Sequence, residues 1–232
     1  MLKRYLLIIP ALLFIGTCFA QDTVEIKRKI SNDVTEVYQA IKNKESIRIG
    51  TFKALYKGKT PVAIGDYKND KKVGLWRFMD FKGTIIQTYD YTNNRFLYEA
   101  PEDTTSKLRY FVDADLVEGD KVTKPLKAGG RYYGYLPYLT LFTLPAKYQD
   151  IDRDRVIAQI ELLVSPLGRL ADYKVTLKLY GIGEPIAVIN MNRNLPDPAD
   201  VIFKPATKNG EPMACRIIIN CIVNNRFHLD YL

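Results

Sequence analysis

The sequence is poor in the residues that usually carry enzyme chemistry. It has one histidine, three cysteines and one tryptophan. The histidine, His228, lies near the C-terminus without a nearby nucleophile, which argues against a Ser-His-Asp or Cys-His site. The stretch 181–183 is too short for a phosphate-binding glycine loop. The sequence therefore predicts a protein that is not an enzyme and that uses no cofactor or metal, and a hydrolase with an unrecognised site is the alternative.

The acidic residues do not form a convincing catalytic or metal pattern either. The aspartates of the stretch 150–154 alternate with an arginine and lack the glycine and terminal glutamate of a calcium loop. They are typical of a solvated helix end. Asp197 and Asp200 flank Pro198, and aspartate favours the N-cap of a helix. This second pair predicts the cap of a short helix.

A long hydrophobic run is also missing. Lys3-Arg4 precedes an apolar segment, Leu6–Ile15, and the apolar stretch that ends at Ala20 has 16 residues. A membrane-spanning helix needs roughly 20. This pattern predicts a secretory signal peptide over residues 1–20 with cleavage after Ala20, a periplasmic location and no stable membrane span after cleavage. An uncleaved anchor and a lipoprotein attached through Cys18 are the alternatives.

Few cysteines remain after this cleavage. Cys215 and Cys221 are separated by a segment with strand character, so their Cα atoms would lie about 20 Å apart. A disulfide needs roughly 7 Å or less. We therefore expect two unpaired, buried thiols on the same face of a strand.

The basic residues are scattered rather than clustered. The net charge of +8 falls by two when Lys3 and Arg4 are removed with the leader. A nucleic-acid-binding protein would group its basic residues on one face. The distribution argues against nucleic-acid binding and is compatible with weak attraction to an anionic envelope surface.

Two similar units follow each other between Ile47 and Tyr91. Gly50-Thr-Phe52 begins the first unit and Gly74-Leu-Trp76 begins the second, at an offset of 24 residues. Each unit has two short strands rich in aromatic and β-branched residues, separated by turns that contain Gly or Asn. A fixed period of this size indicates stacked supersecondary units.

These units resemble MORN-type repeats, in the variant found in YwqK-like proteins. The resemblance implies an antiparallel β-meander, which we assign to residues 21–100. Trp76 is expected to anchor its core, although an exposed aromatic platform for glycan or peptide is the alternative. Residues 101–144 are assigned to a linker, with a Tyr-rich glycine loop that either packs on a sheet edge or recognises a ligand.

The C-terminal part shows regular alternation. Short helices are expected at Ala146–Arg153 and Pro198–Phe203. Strands are expected at Arg155–Val164, Leu170–Tyr180 and Met213–Val223, each with one apolar face. The predicted fold class for the whole chain is therefore α+β: the N-terminal meander, followed by two short helices on a three-stranded antiparallel sheet.

This order resembles the C-terminal domain of TonB proteins over residues 145–232. The resemblance rests on three segments: Leu144-Pro145-Ala146-Lys147, Ser165-Pro166-Leu167-Gly168, and the run from Phe203 to Pro212. It implies a module that contacts an envelope protein, such as an outer-membrane transporter or a periplasmic partner. The Pro-rich spacer and membrane anchor of a force-transducing TonB are not recognisable, so energy transduction is not expected.

The last predicted strand is the expected contact surface. In the TonB family this strand can lie at a sheet edge and accept a partner strand through main-chain hydrogen bonds. Its more exposed face would carry Arg216, Ile218, Asn220 and Ile222. The alternative is that Cys215–Val223 is a core strand capped by the tail that begins at Asn224. Two functional hypotheses result. In the first, the C-terminal domain binds an envelope protein; in the second, the aromatic repeats bind glycan or protein and the C-terminal domain is structural.

Overall fold

The computed structural model describes residues 22–103, 106–182, 184–192 and 195–232. The predicted signal peptide lies outside these residues. Within them, sixteen strands and one α-helix are present. The predicted α+β class is wrong, because the chain is 54% strand and 9% helical. No helix in the described ranges is long and apolar enough to cross a membrane.

The N-terminal half forms a seven-stranded antiparallel sheet whose strands follow their order in the chain. Two of its hairpin loops contain consecutive residues with positive φ: Lys57-Gly58, within a three-residue loop, and Asn69-Asp70, which form a two-residue loop. Positive φ at both positions gives the backbone twist that suits a two-residue hairpin loop. The strands are β1 (Thr23–Lys29), β2 (Val34–Ile41), β3 (Lys44–Tyr56), β4 (Thr60–Lys68), β5 (Lys71–Met79), β6 (Ile85–Asp90) and β7 (Arg95–Glu99).

Trp76 lies at the centre of the core on one face of this sheet. Its side chain is 0% exposed, and its ring centroid lies 5.2 Å from those of both Phe52 and Tyr67. The core-anchor interpretation of Trp76 is confirmed. The indole has room because Gly65 on the neighbouring strand offers no side chain beneath it.

The stretch 101–144, which was assigned to a linker, contributes to both halves of the molecule. It contains β8 (Leu108–Val112), β9 (Val122–Thr123) and the α-helix, α1 (Leu136–Leu141). Leu136 packs in the core of the first sheet, whereas Tyr138 and Leu139 pack in the core of the second. The helix thus contributes side chains to both cores.

The second sheet has six strands in the order β12-β11-β10-β15-β16, with β8 also paired to β15. The apolar alternation of its long strands is confirmed, since Ala158, Ile160 and Leu162 are fully buried. Cys215 and Cys221 are free and buried, as expected. The strands are β10 (Val156–Val164), β11 (Leu170–Leu179), β12 (Pro185–Asn190), β15 (Cys215–Val223) and β16 (Leu229–Tyr231). A small third sheet pairs β9 with β13 (Ala206–Lys208) and β13 with β14 (Glu211–Met213).

The two predicted helices of this half are wrong as regular helices. The first is replaced by separate 3-10 turns at Ala146–Tyr148 and Arg153–Arg155, and the second by one 3-10 turn at Pro198–Val201. Segments this short cannot repay the cost of nucleating an α-helix unless they bury an apolar face. From α1, Tyr138 and Leu139 pack in the core of this sheet.

Candidate functional site

The four residues predicted to contact a partner lie together on the outward face of β15. Arg216, Asn220 and Ile222 are exposed and Ile218 is half-buried, and Ile222 keeps 42% of its surface accessible. Their polar members have neighbours on β10. Asn220 accepts a hydrogen bond from Gln159 at 3.1 Å.

The edges of β15, by contrast, are both occupied. Along one edge it pairs with β10. Along the other, β8 pairs with the first half, Cys215–Ile219, and β16 pairs with Cys221–Val223. Between these two strands the carbonyl of Asn220 accepts the N–H of Leu232 at 3.2 Å. The expectation of an edge position is wrong, so a partner strand could pair here only after β8 or β16 had left.

A different feature stands out as a binding site. A cleft of about 870 Å³ lies against the first sheet. Its walls are the inner face of β1 to β5, the stretch 127–141 that includes α1, and the loop 196–200 of the C-terminal half. We call this space the cleft. It combines apolar walls with pairs of opposite charges.

At one end of the cleft a buried carboxylate is held by an arginine and a tyrosine. Glu36 Oε2 accepts hydrogen bonds from Nε and Nη2 of Arg28 at 3.1 and 2.7 Å. Its Oε1 accepts the hydroxyl of Tyr133 at 2.7 Å. Burial acts to lower the pKa of Arg28, but the charge and hydrogen bonds of Glu36 outweigh it and raise that pKa. Burial raises the pKa of Tyr133 well above its usual range, so Tyr133 acts as a neutral donor.

Arg48 lies beside this group. Its Nε donates to Asp70 at 2.5 Å and its Nη1 donates to the hydroxyl of Tyr67 at 2.8 Å. The guanidinium carbon lies 4.1 Å from the centre of the Tyr67 ring, within cation–π range. Burial acts to lower the pKa of Arg48, but Asp70 and Tyr67 outweigh it and raise that pKa. The guanidinium is therefore a fixed, permanent cation.

Lys72 and Asp197 bridge the first sheet and the C-terminal loop. Lys72 Nζ donates to Asp197 Oδ2 at 3.0 Å and lies 5.4 Å from the ring centre of Tyr91. Asp197 also accepts the N–H of Ala199 at 2.9 Å, so its predicted capping role is confirmed. Burial acts to raise the pKa of Asp197, but Lys72 and the Ala199 N–H outweigh it and lower that pKa. Residues 125 positions apart thus close one side of the cleft.

A second ion pair, deeper in the wall, is buried. Lys127 Nζ donates to Asp200 Oδ1 at 2.6 Å, and both side chains are at most one-tenth exposed. Burial lowers the pKa of Lys127, although Asp200 counteracts it. The main chain beside Lys127 is held by Gln87, whose Oε1 accepts the N–H groups of Gly129 and Gly130, both at 2.9 Å. This part of the wall is rigidly connected to the sheet.

The floor of the cleft is aromatic. The ring of Tyr133 stacks on Phe78 with centroids 6.2 Å apart and an angle of 16° between planes. Tyr38 and Tyr67 extend the same surface and both are buried. Together these rings form an aromatic part of the lining that also contains the two guanidinium groups.

Sequence reasoning missed the cleft because its walls come from segments far apart in the chain. One signal was present. Glu36 interrupts the inward face of β2, where Val34, Tyr38 and Ala40 are apolar and buried. A carboxylate at a buried strand position needs charged and hydrogen-bonding partners, so its presence points to a polar site on the sheet face.

Comparison with known proteins identifies no relative of this chain. No family model, curated protein or solved structure matches the chain.

Proposed function

We propose that this protein is an exported envelope protein that binds a ligand in the cleft, with the aromatic meander as the main binding surface. This corresponds to the second hypothesis from the sequence, in which the C-terminal half has a structural role. The observation that carries the proposal is the cleft itself, where aromatic rings and fixed charges line one concave space. The occupied edges of β15 weigh against strand addition at that strand.

The dimensions and composition of the cleft support this proposal. Ligand sites usually measure roughly 300–1,000 Å³ and combine apolar walls with a few well-placed polar groups. Its volume of about 870 Å³ falls in this range. Arg28, Arg48 and Lys72 are each held by a carboxylate. Groups that are already positioned lose little freedom when a ligand binds.

The experiment is a ligand screen with a blocked cleft. Purified protein is screened against small molecules and saccharides by protein-observed NMR. Ala199, exposed at the cleft wall, is changed to Trp to fill the space, and Ala146, exposed outside the cleft, is changed to Trp as the matched control. We expect ligands that shift cleft resonances in the wild type and in the Ala146→Trp variant but not in the Ala199→Trp variant. Equal binding by both variants, or no cleft ligand at all, would overturn the proposal.

A second candidate function is contact with an envelope protein through the outward face of β15. Ile222 is exposed there, and Phe111 on β8 exposes 57% of its surface on the same sheet. Crosslinking in intact envelopes tests this. An adduct that disappears in an Ile222→Lys variant but persists when Leu97, exposed on β7 of the first sheet, is changed to Lys would support the contact. An adduct unchanged by Ile222→Lys would contradict it.

A further inference from the structure

We infer that the ligand of the cleft is an organic anion: a carboxylate or phosphate group bound by Arg28 and Arg48, attached to an apolar or aromatic body that lies on the neighbouring rings. This inference deepens the proposed function and rests on it. It follows from the hydrogen-bonding capacity left at the end of the cleft where the two arginines meet.

Each of the two guanidinium groups has N–H groups that are not used in the hydrogen bonds described above. A guanidinium has five N–H donors in a planar fork. Arg28 uses Nε and Nη2 toward Glu36, and Arg48 uses Nε and Nη1 toward Asp70 and Tyr67. Among the described residues, no partner is found for Nη1 of Arg28 or Nη2 of Arg48. Both side chains remain accessible, at 57% and 25% of their surface.

The buried carboxylate at this end of the cleft, Glu36, already accepts hydrogen bonds from protein groups. Glu36 receives three hydrogen bonds and its side chain is 6% exposed. Three of the roughly four acceptor sites of this carboxylate are therefore used, and its burial leaves a ligand little access to the fourth. Asp70 sits farther out, with 45% of its side chain exposed. A ligand that enters the cleft here meets the remaining N–H donors of both arginines, and the exposed carboxylates of Glu45 and Asp70 also line this space.

The two arginines are also close enough to repel each other. The charge of Arg48 acts to lower the pKa of Arg28, while Glu36 acts on both guanidinium groups and raises their pKa values. Each arginine also has its own carboxylate partner, Glu36 for Arg28 and Asp70 for Arg48. An incoming oxyanion would relieve this repulsion, and arginine forks match the geometry of carboxylate and phosphate oxygens.

The rest of the ligand is specified by the wall next to the arginines. Tyr38, Tyr67 and Tyr133 line the cleft, as do Leu136 and Pro137. The hydroxyl of Tyr133 is used by Glu36 and that of Tyr67 by Arg48. These rings consequently offer apolar contact more than hydrogen bonds, which favours an apolar or aromatic body over a sugar rich in hydroxyl groups.

The test uses matched probes and isothermal titration calorimetry. The probes are 4-phenylbutyrate, its neutral amide, phenyl phosphate, inorganic phosphate and the neutral sugar maltotriose. We expect the carboxylate or the phenyl phosphate to bind at least about tenfold more tightly than the amide, since a charge-assisted hydrogen bond is worth roughly this factor. The two oxyanion probes distinguish a carboxylate from a phosphate ligand.

Variants locate the binding to the arginines. Arg48→Gln and Arg28→Gln are expected to weaken binding about tenfold. Arg28→Lys, which keeps a cation beside Glu36 and so protects the fold, should give an intermediate loss. Arg77, exposed on the opposite face of β5, is changed to Gln as the matched control and should leave binding unchanged.

The outcomes separate this inference from the proposed function. Equal affinity for 4-phenylbutyrate and its amide, or unchanged affinity in Arg48→Gln, would overturn the inference that the ligand is an anion. Equal affinity for inorganic phosphate and phenyl phosphate would overturn the inference that the ligand has an apolar body. Binding of maltotriose alone, abolished by Ala199→Trp, would refute the inference and leave the proposed function standing.

Discussion

Gly65 and Trp76 make the closest approach between backbone and ring in the first core. A Cβ atom placed on Gly65 would lie closer than 3.0 Å to three carbons of the indole. The indole cannot move aside freely, because it packs against Phe52, Tyr67 and Tyr91. Its Nε1 also donates to the carbonyl of Asp66 at 3.3 Å. We therefore predict that Gly65→Ala destabilises the protein.

The size of this effect is the difference between two terms. Overpacking of a tight core costs about 1–3 kcal/mol, and the upper part of that range applies where rings enclose the site. Replacing Gly by Ala also reduces the conformational entropy of the unfolded chain, which raises the free energy of unfolding by about 0.4–1 kcal/mol. The expected net loss is about 2 kcal/mol, or a fall in Tm of roughly 4–8 °C for a chain of this size.

Urea unfolding measures this loss, and the single tryptophan of the chain reports it directly. The Gly65→Ala variant should unfold at lower urea, and its folded state should emit at longer wavelength because the indole is pushed from its dry site. Asp66→Ala, at the exposed neighbouring position, should change stability by no more than about 0.5 kcal/mol. Unchanged stability and unchanged emission in Gly65→Ala would refute the close packing of strand and ring.

Three further predictions concern the cleft and the second sheet. Lys127→Met should lower the free energy of unfolding, measured with urea, by about 3–5 kcal/mol, because it leaves the buried carboxylate of Asp200 without its partner. Adding Asp200→Leu to this variant should recover most of the lost stability, and no recovery would contradict the ion pair. The pKa of Asp197 is lowered in the folded protein. Its contribution to the free energy of unfolding is therefore complete above roughly pH 4, the unfolded value, and is lost as pH falls through the lower folded value. The urea midpoint of Asp197→Asn should vary less with pH over this acid range than that of the wild type, and equal variation would count against the Lys72–Asp197 ion pair. Gly168→Ala should destabilise more than Gly181→Ala in thermal melts, because both glycines have positive φ but only Gly168 would place its Cβ against a backbone oxygen; equal losses would show that only backbone strain matters.

Local patterns predicted the strands of the second sheet well. The alternation along β10, β11 and β15 identifies their buried faces, because successive side chains of a strand point to opposite sides. The turn at Asn209-Gly210, where both residues have positive φ, was likewise readable from the residue types, since Asn and Gly tolerate this conformation. These features depend on neighbours in the sequence and are therefore visible in it.

The wrong predictions concern partners that are distant in the chain. The short segments at Ala146–Arg153 and Pro198–Phe203 carry helix-compatible residues, but they form only 3-10 turns. Segments this short do not gain enough from helix propagation to offset the cost of nucleation. The edge position of β15 failed for a related reason. Whether this strand has one neighbour or two depends on β16, which pairs with residues 6 to 10 positions away, and above all on β8, which pairs with residues 103 to 111 positions away.

The sequence by itself determined the repeated turns of the meander, the apolar faces of the long strands and the separation of the two buried thiols, since each depends on local geometry. Only the tertiary structure decided that Trp76 rests on Gly65 and that β15 is enclosed. It also decided that Arg28, Arg48, Lys72 and Asp197 line one cleft. The physical reason is that ion pairs and hydrogen bonds act through space, and Lys72 meets Asp197 across 125 positions of chain.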